Sequence, residues 1–258
     1  MKKNASLRQV SQAEIQPIVN ALNSGQLAVA ESMAKKLLKQ FPNAFVLHNL
    51  YGNALAGQNK TKEAVDAFRK AIKIDPSIAE MHFNVAALLT NMNRHEEAIQ
   101  SYKKAVSIKP GLVDAYYNMG IAHQALKQYP QASQNYQKAI DLEPGFYEAI
   151  VNLGVVLQEQ GMLVEAIDTY KRALAIHSDA QIYFNLGTAY KNQGKLGEAI
   201  TAYNKALELN PNYADVHRSV GEVLRDQGRY EESVAAYKRA LELNPDLPMA
   251  NYSLAVYL

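Results

Sequence analysis

Apolar residues along this chain recur at helical spacing, and the pattern restarts at a fixed interval. The stretch 180–211, AQIYFNLGTAYKNQGKLGEAITAYNKALELNP, shows the unit: two amphipathic segments with apolar residues three and four apart, interrupted at Asn192, Gln193 and Gly194. Each unit closes on a proline, at Pro42, Pro76, Pro110, Pro144, Pro211 and Pro245, spaced 34, 34, 34, 67 and 34 residues apart. The interval of 67 is 33 plus 34, with Ser178 at the place of the absent proline and one residue dropped. Self-similarity at this period predicts stacked helical hairpins rather than one globular core. With the proline as position 32, the units are 11–44, 45–78, 79–112, 113–146, 147–179, 180–213 and 214–247, with a partial unit 248–258, all in a single array.

The first helix of each unit, helix A, presents positions 4, 7, 8 and 11 on one face, as in Tyr116, Met119, Gly120 and His123, or Ile150, Leu153, Gly154 and Leu157. Position 8 is glycine in Gly52, Gly120, Gly154, Gly187 and Gly221, and alanine in Ala86. A glycine inside a helix costs about 0.5–1 kcal/mol against alanine, so its recurrence calls for a compensating close approach. Helix B supplies the counterpart: small residues at position 20 (Ala64, Ala98, Ala132, Ala166, Ala199, Ser233) and at position 27, and between them an aromatic at position 24 (Phe68, Tyr102, Tyr136, Tyr170, Tyr203, Tyr237). Small residues let the axes close and the ring fills the remaining space. Position 15 is Gly25, Asn59, Asn93, Gly161, Gly194 or Gly228, residues that accept the left-handed conformation ending helix A. The closing proline cannot continue helix B, and Pro130 is tolerated because it falls in the first turn of its helix.

A bulky residue at 4, Leu-Gly at 7 and 8, Tyr or Leu at 11, Ala at 20, an aromatic at 24, Ala at 27 and Pro at 32 together resemble the tetratricopeptide repeat. That resemblance implies an all-α fold, a right-handed α-solenoid of stacked hairpins in which helix A lines the concave face. The first unit departs most, with Glu14, Pro17, Ile18 and Ala21 at positions 4, 7, 8 and 11 and Ala34 in place of the aromatic, and reads as an irregular N-terminal cap. At the other end Met249, Tyr252, Leu254, Ala255, Val256 and Leu258 begin a further helix A without a helix B. Terminal repeats normally carry a polar outer face. This edge therefore predicts a longer protein, a dimer contact, or a short cap.

Composition narrows the classes. Apolar residues are 48% and charged residues 20%, ordinary for a folded chain, and no run approaches the roughly 18 apolar residues of a membrane span. The absence of cysteine removes disulfides, thiolate metal sites and a cysteine nucleophile. A net charge of +2 gives no footprint for nucleic acid or an anionic membrane. Cytoplasm is the default expectation, with neither cofactor nor metal.

If positions 4, 7, 8 and 11 pack, the opposite stripe at 100° per residue is 2, 6, 9 and 13, flanked by 5 and 12. Position 6 reads Asn84, Asn118, Asn152 and Asn185 in four successive units, then Ser219 and Ser253. An amide both donates and accepts, so such a column can pair with the backbone of an extended peptide whatever its side chains. Phe83, Tyr117, Val151 and Phe184 at position 5 and Ala87, Ile121, Val155 and Thr188 at position 9 give an apolar lining beside it. The candidate site is thus Asn84, Asn118, Asn152 and Asn185 with Phe83, Tyr117, Phe184, Ile121 and Val155. The asparagines equally suit a structural role, bonding neighbouring helices, and the rings can pack between A helices.

Helices reading FNV, YNM, VNL and FNL before a small residue resemble the superhelix of protein O-linked N-acetylglucosaminyltransferases, in which an asparagine ladder holds the acceptor polypeptide by its backbone. No sugar-nucleotide domain is visible in this chain. The carboxylate clamp of chaperone-binding repeats needs lysines where this chain has Glu80, Asp114, Glu148 and Asp215 at position 2. Enzyme readings are poor: His48, His82 and His217 recur at packing position 4, and Gly194-Lys195 is followed by Leu196 where a phosphate loop needs a hydroxyl. The pairs Glu96-Glu97 and Glu231-Glu232 fit helix starts. The expectation is a non-catalytic module that binds a protein or peptide partner. The alternatives are a substrate-recruiting arm of a larger enzyme, such as a glycosyltransferase, and a self-assembling scaffold.

Overall fold

The computed structural model describes residues 9–247, and among them it holds fourteen α-helices and no strand. The partial unit 248–258, with the edge contact expected there, lies outside the described residues. The chain divides into two compact units, Met1–Gln128 and Tyr129–Leu258. The first contains α1 (Gln12–Asn23), α2 (Leu27–Leu38), α3 (Phe45–Gly57), α4 (Thr61–Ile74), α5 (Ala79–Asn91), α6 (His95–Ile108) and α7 (Val113–Ala125). The second contains α8 (Tyr129–Leu142), α9 (Tyr147–Glu159), α10 (Leu163–Ile176), α11 (Ala180–Asn192), α12 (Leu196–Leu209), α13 (Ala214–Asp226) and α14 (Tyr230–Leu243). Every helix A from the second repeat onward begins at position 1 of its unit and every helix B at position 17, so the period read from the prolines is the period of the helices.

Within the first unit α3 packs on α4 and α5 on α6, each hairpin resting on the next, and helix A also meets the following helix A, as α5 meets α7. The second unit repeats this, with α9 meeting α11 and α11 meeting α13. Helix A is therefore flanked on several sides, and its buried face is wider than positions 4, 7, 8 and 11. Position 3 is buried too (Leu47, Met81, Ala115, Ala149, Ile182, Val216), as is position 10 in most repeats (Ala54, Ala122, Val156, Ala189, Val223).

The glycine and the ring meet as the small and large positions require. A Cβ on Gly52 would lie 2.7 Å from the Phe68 ring, and one on Gly154, Gly187 or Gly221 would lie 2.6, 2.5 or 2.9 Å from Tyr170, Tyr203 or Tyr237. These rings are fully buried. Burial pushes the phenol of Tyr102 up to about 12, with a bond to Thr90 opposing it, and raises those of Tyr170 and Tyr203. The first hairpin inverts the sizes. Ile18 stands at the glycine position and Ala34 at the aromatic one, both fully buried in one apolar cluster, so the bulk comes from helix A instead of helix B. Glu14, at packing position 4 by register, instead accepts a 2.9 Å bond from the Ser11 backbone N–H and caps α1.

The junction lacking a proline has its own device. Asp179 caps α11, its carboxylate accepting from the N–H groups of Gln181 at 2.7 Å and Ile182 at 3.1 Å, which replaces a missing turn signal with a strong helix start. At position 15 the left-handed backbone appears in every repeat, and in the fourth it is Lys127 that adopts it, with φ of 56°. A side chain with a Cβ is strained there by about 1 kcal/mol or more. Lys127→Gly is expected to raise stability by about 0.5–1 kcal/mol in urea unfolding, the strain relief being partly offset by the freer unfolded chain.

Candidate peptide-binding face

In the first unit Asn84 on α5 and Asn118 on α7 occupy the same turn of neighbouring A helices, and both are half-buried. Asn118 donates its amide N–H to the Asp114 carbonyl one turn back at 2.8 Å, and its own side-chain oxygen retains acceptor capacity. Phe83 is half-buried and meets the Tyr102 ring edge-on, centroids 5.7 Å apart at 61°. Tyr117 and Ile121 are half-buried on the adjacent helix. The amide row starts at α5: on α3 the corresponding residue is Leu50, buried, beside an Asn53–Asn49 side-chain bond of 3.3 Å.

In the second unit Asn152 on α9 and Asn185 on α11 are likewise half-buried, with the Asn185 oxygen accepting from the Gln181 amide at 3.0 Å. Phe184 lies between the rings of Tyr203 and Tyr213, at 5.9 and 5.5 Å, and Val155 is half-buried. Phe83 and Phe184 thus each lean on the buried tyrosine of their own hairpin and stay partly exposed. The remaining stripe behaves as its angle predicts: position 13 is exposed from Asn91 through Ala125, Glu159, Asn192 and Asp226, and position 2 is exposed at Glu80, Asp114, Glu148 and Gln181.

On α13 this face changes character. Ser219, at position 6, is only 2% exposed. Glu222 at position 9 is bound by Lys191 at 2.7 Å and by Arg218, which also lies 3.8 Å from Asp215. The apolar lining of α9 and α11 ends in this paired cluster. Its signal in the sequence is the arginine at position 5, Arg218, and the glutamate at position 9, Glu222, where the preceding repeat has Phe184 and Thr188. Thr90 and Gln158 at position 12 carry no signal in the sequence, and Thr188, expected in the apolar lining at position 9, instead turns its hydroxyl inward; these side chains meet the buried hydroxyls of Tyr102, Tyr170 and Tyr203 at 3.5, 3.3 and 3.3 Å.

The position-4 histidines are structural. His48, His82 and His217 direct Nε2 at the carbonyls of Pro42, Pro76 and Pro211, at 2.8, 3.1 and 2.9 Å, each fastening helix A to the proline that closes the repeat before it. Carbonyl oxygens only accept, so Nε2 carries the proton. Among the described residues there is no group of three or more histidines or carboxylates that could hold a metal ion, and no helix is long and apolar enough to cross a membrane.

Models of the tetratricopeptide repeat match residues 19–78 and 184–248, 147–212, 88–127 and 113–146. Together they span most of the chain, which belongs to the tetratricopeptide repeat family. No curated protein sequence matches it. Among solved structures it is similar to YrrB, described as a TPR protein with an unusual peptide-binding site, at 26% identity over 75% of this chain and 100% of that one, with a TM-score of 0.65. It is also similar to MamA, at 26% identity over 66% of this chain and 94% of that one, TM-score 0.63. The C-terminal part of a TPR repeat-containing protein from Cytophaga hutchinsonii shares the fold at 18% identity, covering 93% of this chain and 99% of that one with a TM-score of 0.81.

Proposed function

We propose that this chain is a non-catalytic interaction module that holds an extended polypeptide by its backbone on the A-helix face, through Asn84 and Asn118 in the first unit and Asn152 and Asn185 in the second. The observation that carries this reading is the half-exposure of all four amides at one repeat position, beside half-buried Phe83, Tyr117, Ile121, Val155 and Phe184. A fold-imposed amide would be buried between hairpins, and a solvated one would not sit in an apolar row. Packed helices about 10 Å apart and an extended chain rising about 3.3 Å per residue set one amide rung to roughly every third ligand residue. Ligand side chains between rungs meet the apolar lining, which gives weak preference rather than strict sequence readout.

Two likenesses support the reading: the peptide-binding site in the description of YrrB, and the resemblance of the FNV, YNM, VNL and FNL helices to the asparagine ladder of O-linked N-acetylglucosaminyltransferases. The test uses a peptide selected from a random library on the intact protein. Asn84→Ala with Asn118→Ala should weaken it about tenfold, roughly the worth of one to two hydrogen bonds, as should Asn152→Ala with Asn185→Ala if the peptide binds the second unit. Unchanged affinity in both folded double variants would remove the ladder.

A further inference from the structure

A second surface lies in the first unit on the B-helix side, where α2 and α4 flank an open groove of about 730 Å³. Its floor is apolar, formed by Leu38, Tyr51, Ala67 and Ile74, and Ile74 is 38% exposed. Its rims carry Lys35 on α2 and Lys39 just after it, with Lys70 and Lys73 from α4, against Glu63 and Asp66. None of the four lysines has a carboxylate within ion-pair distance among the described residues. His48 also lines the groove. It is 9% exposed, and with Nε2–H committed to Pro42 its buried Nδ1 has no hydrogen-bond partner.

The helix dipole favours lysines near helix C-termini, but the second unit shows that the fold does not demand them. There a smaller groove of about 480 Å³ lies between α8 and α10, sharing positions 25 and 29 of its first repeat and 7, 19 and 23 of the next, and is lined by one lysine, Lys138, against Asp141 and Glu165. Where the first repeat has Lys35 on α2 and Lys39 just after it, the fourth has Gln137 and Asp141; where α4 has Lys73, α10 has Ala175, while Arg172 keeps a cation at the place of Lys70. Cations recur at positions 25 and 26 of other repeats, as in Lys103, Lys171 and Lys238, but lysine at position 29 occurs only at Lys39 and Lys73, so that pair is particular to this groove.

We infer that the α2–α4 groove docks an acidic amphipathic segment of a partner protein, with apolar side chains on Leu38, Tyr51 and Ile74 and carboxylates on the lysine rims. Unpaired lysines on both rims complement carboxylates on both edges of such a segment, and half-buried Leu38 and Tyr51 with exposed Ile74 give it an apolar face to cover. A simple anion would use the lysines and leave the floor bare. This surface is independent of the amide rows on the A helices.

The probe is a fluorescein-labelled helical peptide of about 16 residues built from leucine and glutamate, long enough at 1.5 Å per residue to run the length of α4. Anisotropy should show binding that weakens steeply with salt. Lys35→Gln, Lys39→Gln, Lys70→Gln and Lys73→Gln together should reduce affinity at least about tenfold. These lysines are exposed, so the core is untouched. Replacing the peptide's leucines by serine should also weaken it, whereas Asn84→Ala with Asn118→Ala should not. Absence of binding, equal binding of the quadruple variant, equal binding of a lysine-for-glutamate peptide, or complete displacement by millimolar pyrophosphate would each overturn the proposal.

Discussion

Tyr203→Ala is expected to cost about 4 kcal/mol in urea unfolding, in the middle of the range for deleting a buried aromatic side chain. The ring is fully buried, fills the space over Gly187, meets Phe184 at 5.9 Å and reaches Thr188 with its hydroxyl at 3.3 Å. Glycine opposite it cannot move into the void, because it has no side chain to do so. Tyr203→Phe keeps the ring and loses only the hydroxyl contact, so it should cost about 1 kcal/mol. Stability in a repeat protein is close to a sum over repeats and their nearest-neighbour interfaces. Hydrogen exchange in the alanine variant should therefore accelerate most in α11, α12 and α13. Uniform acceleration over both units would contradict this.

Gly187→Ala should destabilise although alanine is the better helix former. Propensity alone predicts a gain of about 1 kcal/mol. The new Cβ, however, would lie 2.5 Å from two carbons of the Tyr203 ring, which is held on all sides. Overpacking of this kind typically costs about 1–3 kcal/mol. The third repeat is built around Ala86, fully buried like Tyr102 in the same hairpin, so the alanine penalty belongs at the lower end, about 1–2 kcal/mol net. Gly187→Leu, which has no such precedent, should cost about 3 kcal/mol or more. Gly197→Ala is the internal control: nothing lies within 4 Å of its added Cβ, so it should gain about 0.5–1 kcal/mol. Equal responses at Gly187 and Gly197 would show that close approach is not why glycine recurs.

Much of this fold was legible because a repeat states each rule several times. The proline interval gave the helix starts, and glycine at 8 facing an aromatic at 24 gave the hairpin contact, since only close axes justify repeated helical glycines. What was not legible depended on neighbours in space. Lys127 carries no turn signal and takes the left-handed conformation because the hairpin fixes it. Ile18 and Ala34 each look like a departure, and only together do they conserve the volume of the core. The histidines bond to the closing prolines at a separation of six residues, which no helical period predicts.

The candidate site was legible in angle and not in depth. Counting 100° per residue placed position 6 on the free stripe, and Asn84, Asn118, Asn152 and Asn185 are half-buried there. The same counting could not tell that Phe83 and Phe184 lean on the tyrosines of their own hairpins, because period fixes direction and ring contacts depend on side-chain reach. Nor could it place the end of the apolar row, which is set by the pairing of Lys191 and Arg218 with Glu222.

The most direct measurement of the central claim is a titration of ¹⁵N-labelled protein with the library-selected peptide, following the side-chain amide resonances of the four asparagines. The account predicts that the Asn84 and Asn118 amides, or those of Asn152 and Asn185, shift in step with occupancy, together with backbone signals of the A helices that carry them. Saturating peptide that leaves all four side-chain amides in place while B-helix signals move would contradict it.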